Sequence, residues 1–111
     1  MDGFTVITQQ YPDRAVITVS GEMDLGSCPE LARAALVLPV DGKELHLDLS
    51  GVAFMDSSGL NLLLQLRLHV RARGGQLLVM GLRDQPAQLL RLTETHDLLT
   101  APAMGVALSR E

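Results

Sequence analysis

Apolar and polar residues change rhythm several times along this chain, and each change marks an element. Phe4 and Val6 alternate with their neighbours over 4–10, which predicts a strand. Tyr11-Pro12-Asp13-Arg14 reads as a turn with Pro12 in its second position, and AVITVSG over 15–21 reads as a second strand, so the pair forms a hairpin. GEMDLGSCPELARAALVL then shifts to helical spacing. Ser27 or Cys28 stands where a cap belongs, Pro29 suits the first helical position, and Leu31, Ala34, Ala35 and Leu38 share a face. Pro39 and Asp41-Gly42 stop that helix. ELHLDLS, 44–50, returns to alternation, with Leu45, Leu47 and Leu49 on one side and His46 and Asp48 on the other.

A second helix follows Asp56-Ser57-Ser58-Gly59 and runs to about Arg73, where Gly74-Gly75 ends it. QLLVMGL, 76–82, predicts a fourth strand, 86–92 a third helix, 98–101 a short edge strand and 104–109 a last helical turn. Helices alternating with strands after a hairpin imply an α/β fold. Its sheet is mixed and four- to five-stranded, with helices packed mainly on one side. The second helix carries more apolar surface than one contact needs. Leu62, Leu63, Leu66 and Val70 form one stripe, Asn61, Gln65 and His69 a polar one, and Leu60, Leu64 and Leu68 a second apolar one. That second stripe reads either as deep burial, as a strip on which a partner docks, or as a homodimer surface.

Composition narrows the function. The 111 residues suit a single domain, and 47% apolar content with 20% charged residues supports a packed core. Aromatics are only 3% and the formal charge is −4, so the basic surplus and stacking rings of a nucleic-acid binder are missing. Cys28 is the single cysteine, which rules out an internal disulfide. No apolar run approaches the ~20 residues of a membrane span, and MDGFTVITQQ does not read as a signal peptide, so a cytoplasmic protein is expected. His46, His69, His96 and Cys28 show no metal-ligand spacing, so no metal is expected. Neither a G-x-S-x-G elbow nor a phosphate-binding G-x-x-x-x-G-K-[ST] loop is present, which argues against a hydrolase or a kinase.

The stretch AFMDSSGLNLLL, 53–64, carries the remaining chemistry. One hydroxyl at a helix start is an ordinary cap worth ~1 kcal/mol, and Asp56 suits the positive end of a helix. Neither accounts for Gly59, which costs ~1 kcal/mol against alanine in a helix and marks a special backbone angle or a close approach by another molecule. A serine presented outward at a helix start is also a suitable phosphate acceptor.

These residues resemble a known family. LHLDLSGVAFMDSSGLNLLL, with VSGEMDL before it, is similar to the STAS domains of bacterial anti-sigma factor antagonists over about residues 4–100, within a domain spanning 1–111. The resemblance implies a protein without catalytic residues or cofactor. Its expected partner is an anti-sigma factor that is also a serine kinase of the GHKL type, and binding it releases a sigma factor. The resemblance further implies that the kinase phosphorylates Ser57 to break the complex, and that a PP2C-type phosphatase removes the phosphate. Asp24, Asp56, Ser58, Gly59, Leu60, Asn61 and Leu64 are the implied partner-binding residues, with Ser58 assigned to the cap, Ser57 left free and Gly59 keeping the approach clear. Asn61 stands where the family often has glycine, and APAMGVALSRE is short for the usual last helix. The alternative is a STAS binding module that is not phosphorylated, acting as a scaffold or as the soluble partner of a transporter.

Overall fold

The computed structural model describes residues 3–100. Strands β1 (Thr5–Gln10), β2 (Arg14–Met23), β3 (Glu44–Met55) and β4 (Gln76–Met80) form one sheet in the order β1-β2-β3-β4. β1 and β2 are the antiparallel hairpin, closed by Tyr11 N donating to Arg14 O at 2.8 Å. β2, β3 and β4 run parallel. Parallel neighbours need a crossover, and helices α1 (Cys28–Leu36) and α2 (Ser57–Ala72) supply the two crossovers; α3 (Asp84–Leu92) and α4 (His96–Thr100) follow β4.

Alternation puts Ala15, Ile17, Val19, Leu45, Leu47 and Leu49 on the buried face, each at most 1% exposed. Leu31 and Ala35 of α1 and Leu63, Leu66 and Val70 of α2 complete that core, as the sequence predicts. α2 ends at the expected glycines, with Gly75 N donating to Val70 O at 3.0 Å.

Two elements differ from the sequence reading by more than two residues at an end or in kind. β3 does not stop at residue 50 but continues to Met55. Its register against β2 slips between Thr18 and Ser20 and again between Gly21 and Glu22, so β3 carries extra residues there. Such bulges break strict alternation and increase twist, which is why the buried residues become Leu49, Val52 and Met55. The segment predicted as an edge strand at 98–101 is instead helical in α4 up to Thr100. A helical turn buries Leu99 completely while Leu98 stays 43% exposed, and Leu99 N donating to Thr95 O at 3.1 Å begins that turn. The sheet therefore has four strands among the described residues. The helical turn predicted at 104–109 lies outside them.

Candidate functional site

The carboxyl ends of β2 and β3 meet where Asp56 N donates to Met23 O at 3.1 Å. In open α/β sheets the crevice outside such strand ends is the usual place for recognition. Two loops leave from it, Asp24–Ser27 into α1 and Asp56 into α2.

Asp56 is the N-cap of α2. Its backbone is extended (φ −104°, ψ −169°), and its Oδ1 accepts from Ser58 N at 2.8 Å. The expectation that Ser58 caps is thus corrected: aspartate is as good a cap as serine, and it sits one residue earlier. Both serines fall inside the first helical turn. Ser58 is half-buried, whereas Ser57 is exposed and its hydroxyl makes no hydrogen bond among the described residues.

Gly59 and Leu60 are also corrected. Both are buried, so neither offers a surface to a partner. A Cβ on Gly59 would lie 2.5 Å from Met55 Cγ, 3.2 Å from Met23 Cβ and 3.3 Å from Met23 O. The close approach foreseen for Gly59 is made by the chain itself: α2 rests directly on the ends of β2 and β3. Gly59→Ala is expected to destabilise the fold, because overpacking costs ~1–3 kcal/mol against a gain in helix propensity of ~1 kcal/mol. Urea denaturation checks this, with a lower midpoint at unchanged slope.

Along the second stripe burial fades with distance from the site. Leu60 is 8% exposed, Leu64 is half-buried against the core and Leu68 is 65% exposed. Asn61 is exposed one helical turn from Ser57. Exposed apolar surface in the segments at the carboxyl ends of β2 and β3 comes from residues that sequence patterning did not single out: Leu25, 77% exposed in the β2–α1 loop, and Phe54, 43% exposed before Met55. An apolar residue inside a loop was the available signal for Leu25.

Asp24 holds its own loop. Its Oδ1 accepts from Gly26 N and Ser27 N, each at 3.0 Å. Ser27 occupies the N-cap position of α1 without a capping bond, because its hydroxyl donates to Glu22 O at 2.6 Å and accepts from Asp24 N at 3.0 Å. Both aspartates nevertheless act on one place. Burial pushes the Cys28 thiol up, and the charges of Asp56 and then Asp24 push it further the same way. Both carboxylates thus act electrostatically on the thiol at the start of α1. Among the described residues no group of His, Cys, Asp and Glu is arranged to hold a metal ion.

Comparison with known proteins follows the same lines. A family model described as "Mlab, STAS domain" matches residues 7–100. The chain is 32% identical over 94 residues to the anti-sigma-B factor antagonist of Listeria monocytogenes, covering 84% of this chain and 82% of that one. It is 29% identical over 84 residues to the protein of the same name from Staphylococcus aureus, covering 75% and 78%. The crystal structure of an anti-sigma factor antagonist from Mycobacterium paratuberculosis superposes with a TM-score of 0.73 at 26% identity, over 98% of this chain and 94% of that one.

Proposed function

Because the chain belongs to the STAS domain family, we propose that it is an anti-sigma factor antagonist whose binding is switched by phosphorylation of Ser57. It acts by binding an anti-sigma factor, with no reaction of its own, and so frees a sigma factor for transcription. The observation that supports the switch is the exposed Ser57 hydroxyl, left without a partner because Asp56 takes the capping role. Among the described residues no helix is long and apolar enough to cross a membrane, in keeping with action alongside transcription factors in the cytoplasm.

The partner is an anti-sigma factor that is also a GHKL-type serine kinase. It docks on the carboxyl-end surface, gripping the exposed Leu25 and Phe54 and meeting Asn61 on the exposed face of α2. The phosphate then stands in the centre of that surface. A PP2C-type phosphatase resets it.

The test is capture of the partner from lysate on the immobilised chain, followed by incubation with ATP and mapping of the labelled peptide. Label on Ser57 and none on the Ser57→Ala variant is the expected result. Full labelling of Ser57→Ala overturns the acceptor assignment, and recovery of a transporter subunit in place of an ATPase replaces the reading with that of a transporter-bound module.

A further inference from the structure

β3 outlasts its neighbour. β4 pairs with it only from Glu44 to Asp48, and then Gly81, at φ +74°, turns the chain away over Asp48 and Ser50. Backbone groups of successive strand residues point to opposite edges. At the end of β3, Asp56 N points to β2 and bonds Met23 O at 3.1 Å. Met55 therefore directs its N–H and C=O to the other edge, where β4 no longer runs. Met55 is fully buried, so water does not supply the missing partners.

Gln85 supplies both. Its side-chain Oε1 accepts from Met55 N at 2.7 Å and its Nε2 donates to Met55 O at 2.9 Å. A primary amide carries the same donor and acceptor pair as a peptide group, so one side chain stands in for a missing strand residue. Gln85 lies in the first turn of α3, beside the buried Pro86 and Ala87, which fixes where its amide can reach. The two residues leading into Ser57 are consequently held from opposite edges, Asp56 by β2 and Met55 by α3.

We infer that Gln85 is a positioning residue for phosphoryl transfer to Ser57: through Met55 it fixes the strand end from which Asp56 and Ser57 project. The inference rests on the reading of Ser57 as acceptor. Gln85 touches neither Ser57 nor any reacting atom, and its contribution is to the geometry in which the hydroxyl meets the kinase. A small misplacement of a reacting group is costly in rate, whereas Leu25 belongs to the β2–α1 loop, which Gln85 does not bond, so docking through it is retained.

The experiment uses Gln85→Met, which keeps the length of the side chain and removes both hydrogen bonds, on the full chain. Amide exchange of Met55 is read by NMR against Leu47 in the sheet centre, and phosphorylation of Ser57 is followed with the captured kinase and ATP. Met55 exchange is expected to accelerate about tenfold relative to Leu47, and kcat for labelling to fall about tenfold with KM within about twofold. Gln85→Glu is the second variant. Its carboxylate loses the donor to Met55 O, and protonating it restores one. Its Met55-to-Leu47 exchange ratio should therefore approach wild type as pH falls from about 7 to about 4. The wild-type chain over the same pH range serves as the control. Unchanged Met55 exchange in Gln85→Met, or faster exchange with wild-type kcat, overturns the inference alone. A wild-type chain never labelled on Ser57 overturns the acceptor reading and the inference with it.

Discussion

Ser57→Asp is expected to weaken binding to the anti-sigma factor by about 30-fold or more and to leave thermal stability close to that of the parent. The two halves of this result have separate causes. In the free chain the new charge sits exposed in the first turn of α2. The positive helix end favours it by ~0.3–1 kcal/mol, and the neighbouring Asp56 opposes it by a comparable, solvent-screened amount. Folding barely registers the change. In the proposed complex the partner covers the same charge, and an unpaired charge in a desolvated interface costs ~2–5 kcal/mol. Titration calorimetry against the captured partner measures the first half and a thermal melt the second. Ser57→Ala, which adds no charge, should bind as the parent does. A fall in melting temperature that tracks the loss of binding would place the switch in folding instead.

The largest stability effect is expected at Leu63. It is fully buried at the centre of the α2 stripe facing the sheet. Leu63→Ala should cost ~2–5 kcal/mol through lost burial and the cavity left behind, lowering the melting temperature by roughly 8 °C or more in a domain of this size. Leu68, 65% exposed on the other apolar stripe, gives the contrast: Leu68→Ala should stay within about 0.5 kcal/mol. If the two substitutions cost the same, the assignment of the two stripes to core and surface is wrong.

Most of the architecture was legible because it rests on periodicity. The alternation of Leu45, Leu47 and Leu49 and the spacing of Leu62, Leu63, Leu66 and Val70 each name a buried face without further information. The bulged end of β3 was not legible, since Ser50-Gly51 interrupts alternation in the same way that a strand terminus does. Leu98-Leu99 was too short for either period to show, and a tertiary contact of Leu99 decided it. At the site, Asp56, Ser57 and Ser58 were recognised as a helix start, but which of three good capping residues caps depends on where the helix begins, to within one residue. The burial of Gly59 depends on Met23 and Met55, which are brought together only by pairing of distant strands. Gln85 carried no sequence signal, because its partner is backbone and backbone has no letter.

In the proposed mode of binding, stability and recognition fall on different residues of the same elements. Leu47, Met55 and Leu63 are sealed inside, whereas Leu25, Phe54, Ser57 and Asn61 project from the carboxyl end of the sheet. Substitutions in the second set leave the packing of the first untouched. A duplicated copy of this chain is thus able to drift toward a new kinase with little risk to its fold. A cell holding several such copies can keep parallel signalling circuits insulated from one another by changing a few exposed residues.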